Sequence, residues 1–406
     1  MSQDPHENPA TLLRARTGEH HSRVGFIELF FDLVFVFAIT QISHTLLHHL
    51  TLEGALEATF LLFAVWTIWI FTAWVTNWLD TEKAPTRLML FALMAAGLVL
   101  SSSLPEAFGE RGLSFAIAYA AIQVGRTVYM VFALRKGPEN ERRNFQRILT
   151  WLLVSAPFWI VGGFADEQHR WMWWAAALFI EALGPWAMFW TPFQGRSSTA
   201  DWTIDPAHLA ERAGLFIIIA LGESVLIIGA TFAETAWTAQ IWLAFGASLA
   251  SSLAMWWIYF ALIEHEAARL FARHEDPGAV ARAGYTYAHI PMVAGIIVMA
   301  VADEMVLAHP SGHASPEMLA AIIVGPVLFL AGVGLFCGMM WREFPPSPIV
   351  ATLALLGLIP LSPHVEPVIL SLISTGVMVA TALWETWLTS TGKYAAPQQT
   401  RPASAD

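Results

Sequence analysis

Glu28 and Asp32 lie one helical turn apart inside an apolar run, Phe26 to Ile42. Residues four apart share a face of a helix, so the two carboxylates look in one direction. Ser43 returns to that face near the end of the run, with Val36 and Ile39 between. Two acids this close resist ionising together. Three more groups of the same kind follow: Glu181 before Gly184-Pro185, Glu223 within Gly222-Glu223-Ser224, and His289 before Pro291, where the proline loosens the local backbone ladder. One cation stands in apolar text, Arg126 of Gln123-Val-Gly-Arg126. Ionisable side chains in such surroundings need a partner or a water-filled cavity. Two chemistries fit this set. Arg126 can pair with Glu181 or Glu223 and tie helices together, since a guanidinium offers the fork that a carboxylate accepts. The surplus carboxylates can instead line a pathway for protons, cations or a small solute.

The elements that carry these groups are membrane-spanning helices. A span needs about 20 apolar residues to cross the hydrocarbon as a helix. Such runs occur near 25–46, 55–79, 87–107, 113–134, 147–165, 171–191, 208–232, 237–262, 284–307, 318–340, 348–362 and 367–388. The eleventh is short and punctuated by Pro348, Pro360 and Pro363, which predicts a bent or partial crossing. The expected fold class is therefore all-α, a polytopic transmembrane helix bundle of about twelve spans. The composition agrees: of 406 residues 56 % are hydrophobic and 13 % charged, too little polar surface for a dissolved globule.

Positive charge sets the orientation. With the N-terminus inside, cytoplasmic segments collect 18 of the 21 Lys and Arg residues, Arg212, Arg269, Arg273 and Arg282 among them. Arg111 and Arg170 fall in outer loops. Because Lys and Arg are retained on the cytoplasmic side, this distribution places both termini in the cytoplasm of a cell whose inner or plasma membrane holds the chain. Trp78, Trp171, Trp173, Trp190 and Trp387 fall near span ends, as an aromatic belt requires. Residues 1–22 are polar, without the apolar core of a signal peptide, and read as a cytoplasmic tail; residues 391–406 read as a disordered one.

The spans repeat. Met94-Ala-Ala-Gly97 with Glu106 nine residues on matches Met292-Val-Ala-Gly295 with Glu304 nine on. The first and seventh runs both open on Arg-x-Gly, at Arg23 and Arg212, and then carry an acid, Asp32 or Glu223. An even number of spans per half makes this a parallel repeat, predicting a first half over 23–195 and a second over 196–390.

Other chemistries lack their parts. The net charge of −11 is scattered, and no basic tract suits nucleic acid. The single cysteine, Cys337, excludes an intrachain disulfide or a cysteine-based metal framework. His44, His48, His49, His309, His313 and His364 gather at the outer side without the spacing of a metal site. Neither a phosphate-binding loop, a dinucleotide fingerprint nor a nucleophile motif occurs, so no cofactor and no enzymatic activity are expected.

The string Arg23-Val-Gly-Phe-Ile-Glu28-Leu-Phe-Phe-Asp32-Leu-Val-Phe-Val-Phe-Ala-Ile-Thr-Gln41-Ile-Ser-His44 closely resembles the bacterial low temperature requirement A family. Glu211-Arg-Ala-Gly-Leu-Phe-Ile-Ile-Ile-Ala-Leu-Gly222-Glu223-Ser224 resembles that family's second hallmark. The resemblance covers most of 23–390 and implies a multi-pass bacterial inner-membrane protein linked to growth in the cold, a phenotype rather than a reaction. More faintly, Phe31 to Thr40 is similar to the first helix of bacterial and lysosomal potassium channels built from paired six-span repeats, with Phe31 standing where they have serine. That similarity implies a hydrophobic pore constriction near Val36 and Ile39, closing by dewetting.

The expected function is thus transport of a small solute or cation through the bilayer, with Glu28, Asp32, Arg126, Glu181 and Glu223 on the pathway. A homo-oligomer is compatible with the sequence. The alternatives are a non-transporting sensor or scaffold, which the short loops disfavour, and an intramembrane lipid-modifying enzyme, for which the outer histidines are the only candidates.

Overall fold

A computed structural model of the protein describes residues 11–14, 24–199 and 202–391. The described regular structure is helical, apart from two isolated antiparallel bridges, Leu13 with Leu79 and Thr191 with Gly195. In chain order the helices are α1 (Phe26–His48), α2 (Leu52–Trp78), α3 (Ala84–Ser103), α4 (Gly112–Ala133), α5 (Glu139–Phe164), α6 (Glu167–Trp186) and α7 (Pro206–Glu234). There follow α8 (Ala239–Trp256), α9 (His265–Arg273), α10 (Pro277–Val280), α11 (His289–Ala308), α12 (Pro316–Trp341), α13 (Pro346–Leu356) and α14 (Pro367–Ser390). Most of the expected tails, residues 1–10, 15–22 and 392–406, lie outside the described residues, as does Arg23.

Eleven segments among the described residues are long and apolar enough to cross a membrane. The protein is therefore a multi-pass membrane protein whose helices lie in lipid. The expected sixth span becomes α6, which is not one of the eleven: Glu167, Gln168, His169 and Arg170 dilute its first turn and Glu181 its second half. The eleventh is broken as its prolines predict, α13 giving way to a 3-10 turn over Ile359–His364. The loop expected between the eighth and ninth spans is helical instead. A π-helical stretch, Trp257–Glu264, joins α8 to α9, and a second, Ala281–Tyr287, follows α10. Arg269, Arg273 and Arg282 thus lie on helix rather than loop.

The chain divides into two compact units, Met1–Ala220 with His274–Ala281, and Leu221–Arg273 with Arg282–Asp406, so the boundary runs inside α7. In the first unit α1 packs on α2 and α3, α2 on α4, and α3 to α6 pack in succession. The α1 sequence explains its placement. Phe26, Phe30, Leu33 and Phe37 form an exposed apolar stripe that lipid solvates, while Glu28, Phe31, Asp32, Phe35 and Ile39 turn inward. An aromatic core of Phe60, Phe115, Trp159 and Trp174 joins α2, α4, α5 and α6.

Two charge and aromatic assignments change here. Arg170, expected in an outer loop, is buried on α6, where its guanidinium donates to the carbonyls of Ala107, Phe108, Gly109, Gly162 and Ala165. These are carbonyls of helix ends and turns, where intrahelical donors run out, and a five-donor side chain engages them together. Trp78, expected in an interfacial belt, is buried against Trp74 and Phe145. Trp173, Trp190 and Trp387 are exposed.

The second unit is built on α11 against α12 and α8 against α14. Gly295, Gly325 and Gly332 form the α11–α12 seam: a Cβ on Gly295 would meet Phe329 N at 2.4 Å and Gly325 O at 2.7 Å. Backbone approaches backbone along this seam, the arrangement by which helices associate where lipid offers no hydrophobic drive.

Candidate functional site

The start of α7 is positioned by its own sequence. Asp205 Oδ1 accepts from the backbone N–H groups of Ala207 at 3.0 Å and His208 at 3.2 Å, and Pro206 follows as the first helical residue. An acid before a proline is a strong helix start, because the carboxylate satisfies free N–H groups and proline has none to lose. Asn77 at the end of α2 clamps the same point, donating to Asp205 O at 2.8 Å and accepting from Asp205 N at 2.8 Å. Asp205→Ala is expected to lower stability by about 1 kcal/mol, readable as a reduced Tm of the detergent-solubilised protein, whereas Asp205→Asn retains most of it.

From that start, His208 and Arg212 are four residues apart on α7, the spacing of Glu28 and Asp32 on α1. The two pairs meet rung to rung. Glu28 Oε1 lies 3.0 Å from His208 Nε2, and Asp32 Oδ1 accepts from Arg212 Nη2 at 2.8 Å. His208 Nδ1 lies 3.3 Å from Asn77 Nδ2, a donor, which assigns the ring proton to Nε2, the nitrogen facing Glu28 Oε1 and, at 3.1 Å, Arg14 Nη2. Glu28 Oε2 takes two further donors, Gly25 N at 2.9 Å and Arg14 Nη2 at 2.9 Å. Arg14 comes from the segment expected to be a cytoplasmic tail. Its backbone N–H bonds Trp78 O, its Nε bonds Leu79 O, and Leu12 O accepts from Asp80 N.

The upper rung is less complete. Trp69 Nε1 donates to Asp32 Oδ1 at 3.0 Å, and the Arg212 guanidinium lies over the Trp69 ring at 5.7 Å. Asp32 Oδ2, Arg212 Nε and Arg212 Nη1 are buried and have no hydrogen-bond partner among the described residues. Trp69 itself belongs to a buried aromatic cluster in which Phe35, Trp66 and Trp69 all meet the Phe216 ring. Three buried polar atoms without a protein partner are costly, and they suit water or a small polar guest.

A second constellation in the same unit is closed. Glu181 Oε2 accepts from Tyr119 Oη at 2.7 Å and Gln123 Nε2 at 3.0 Å; Oε1 accepts from Ser155 Oγ at 2.7 Å and Trp159 Nε1 at 2.9 Å. Four donors match the acceptor capacity of an ionised carboxylate and bind α4 and α5 to α6. Arg126 does not touch Glu181 directly. It donates to Gln123 Oε1, whose amide reaches Glu181, and to Ile68 O and Thr72 Oγ1, both at 3.1 Å, while its Nε has no partner among the described residues, so the closure is around the carboxylate. The expected pairing of Arg126 with Glu181 is thus relayed through glutamine.

Of the remaining expected residues, Ile39 is buried and Val36 half-buried on α1. Ser43 Oγ is buried without a partner among the described residues. Glu223 is buried on α7 in the second unit, beside Ser224, whose hydroxyl meets that of Ser252 at 3.2 Å. His289, also in that unit, lies between Tyr259 Oη at 2.8 Å and Gly284 O at 3.0 Å. His44 and His48 are exposed, and among the described residues no three His, Cys, Asp or Glu side chains are grouped to hold a metal.

Sequence reading missed Arg14, Trp69, His208 and Arg212 as partners. The usable signal was the repeated spacing of four: an acid pair on one apolar run and a base pair on another.

These residues lie within a recognisable family. The family described as bacterial low temperature requirement A protein (LtrA) matches residues 23–383. The chain belongs to the LtrA family. A relative from Rhizobium meliloti (strain 1021), named uncharacterized protein RA0937, is 39% identical over 381 residues, covering 93% of this chain and 92% of its own length. No solved structure matches the chain. The LtrA match takes in the whole α1–α7 ladder except Arg14.

Proposed function

We propose that this LtrA protein is a transporter or channel for a small solute or cation rather than an enzyme, and that the Asp32–Arg212 pair stands on its pathway. The observation carrying the reading is the set of buried polar atoms on that pair without a protein partner, Asp32 Oδ2 with Arg212 Nε and Nη1. A purely structural ion pair in a low-dielectric interior is retained when its remaining valences are satisfied, as they are around Glu181. Glu28 with His208 and Arg14 continues the polar file toward the cytoplasmic end, and Glu223 is the corresponding acid on α7.

The ladder also supports the finer topology. Glu28 meets His208 and Asp32 meets Arg212, so α1 and the first turns of α7 run in the same direction. Helices that enter from the same side are separated by an even number of crossings. Counting α1 to α5 alone gives five; with α6 it is six. On this reading α6 crosses too, the bundle has twelve spans in two parallel halves, and both termini are cytoplasmic. Its polar groups are compatible with that, because Glu181 and Arg170 are both turned into the protein and hydrogen-bonded.

The test is flux of monovalent cations and small polar solutes into proteoliposomes. The parent protein should exceed empty vesicles for at least one species, and Asp32→Asn should reduce that flux at least about tenfold, a loss of roughly 1.4 kcal/mol. Asparagine keeps an Oδ1 acceptor for Trp69 and Arg212, so insertion should persist. Flux through Asp32→Asn equal to the parent's rejects the pathway.

A further inference from the structure

Asp303 belongs to no part of the ladder and falls one residue before Glu304, the position that the repeat pattern marks. It sits on α11, five residues before the helix ends at Ala308, and is only 5 % exposed. Its Oδ2 has no hydrogen-bond partner among the described residues. Ser248 of α8, fully buried, faces the carboxyl at hydrogen-bonding approach, and its Oγ has no other partner among the described residues.

The surroundings narrow what can lie there. Ser251 and Ser252, three and four residues beyond Ser248, share its helix face and are buried as well. The sequences of α8, α11, α12 and α14, which pack together in the second unit, contain neither Lys nor Arg. The histidine of α11, His289, is at the other end of that helix and engaged with Tyr259 and Gly284. A buried carboxylate with no protein cation beside it must be neutralised by a proton or by a bound ion. Oxygen-only donors suit a hard cation, and one negative charge balances one positive charge, which excludes a divalent ion as the resting occupant.

We propose that Asp303 and Ser248 form a site for a single dehydrated sodium ion within the second unit. The site rests on residues of that unit alone and does not depend on the pathway assigned to Asp32 and Arg212.

The experiment is thermal unfolding of the purified full-length protein in detergent, in sodium chloride, potassium chloride and choline chloride at matched ionic strength. Sodium is expected to raise Tm by several degrees over choline with a saturable dependence, as a ligand of the folded state must. Asp303→Asn should abolish the rise, Ser248→Ala should move its midpoint about tenfold, and Ser248→Thr should preserve it. The serine variants decide the matter even if Asp303→Asn fails to fold. Absence of a sodium-specific rise in the parent, or a rise that survives Ser248→Ala unchanged, overturns the assignment and leaves a protonated acid at Asp303. Because the readout is binding, failure here is distinguishable from failure of the flux reading.

Discussion

Arg212→Leu should destabilise the folded protein by about 3–5 kcal/mol, among the larger costs a single substitution can impose. The side chain is fully buried, and its guanidinium is the only cation directly bonded to Asp32 among the described residues. Removing it leaves Asp32 charged or forces it to take a proton, with Trp69 Nε1 as its remaining donor. The informative comparison is the double variant Asp32→Leu/Arg212→Leu. An apolar pair of similar volume avoids both desolvation costs, so most of the lost stability should return, while flux should not. Unfolding in detergent measures the first quantity and proteoliposome uptake the second. Equal instability of the single and double variants would show that the pair is not energetically coupled.

Gly295→Ala should cost at least about 2–3 kcal/mol, although alanine is the better helix former by about 1 kcal/mol. The added methyl meets backbone atoms, Phe329 N at 2.4 Å and Gly325 O at 2.7 Å, and neither can rotate away as a side chain could. The α11–α12 seam has to open along its length, with Gly325 and Gly332 losing their contacts with Met299 and Met292. Gly376→Ala on α14 is the control, since nothing lies within 4 Å of its added Cβ. It should be neutral or slightly stabilising. Matched Tm measurements on the two variants read the difference; a Gly295→Ala protein as stable as the control removes the seam from the account.

The spans were legible because hydrocarbon thickness imposes a length and an apolar composition that any reader of the chain can count. Glu28, Asp32, Arg126, Glu181 and Glu223 were legible as buried groups for the same reason, each being an anomaly against its background. Their partners were not. Arg212 sits within two turns of a span's start, where a long side chain can reach water or turn inward, and hydropathy treats both cases alike. What turns it inward is Asp32, 180 residues away. Arg170 was misplaced by the same ambiguity at a helix start, where the carbonyls of neighbouring helix ends recruit it. Asp303 was passed over because the repeat directed attention to Glu304, which is half-buried where Asp303 is buried. The π-helical stretches flanking α9 and α10 leave no mark in apolar periodicity over so few residues.

The distance along the chain between acid and base has a consequence for biogenesis. Asp32 leaves the ribosome long before Arg212, by roughly ten to forty seconds at ordinary rates of synthesis, while Trp69 follows it by only 37 residues. During that interval the first helix must enter the bilayer with its acid protonated or sheltered by the insertion machinery, whereas Glu28 already has Arg14 as a countercharge. Nascent chains halted before residue 212 should therefore be held at the translocon and cleared by quality control far more readily than chains halted just after it.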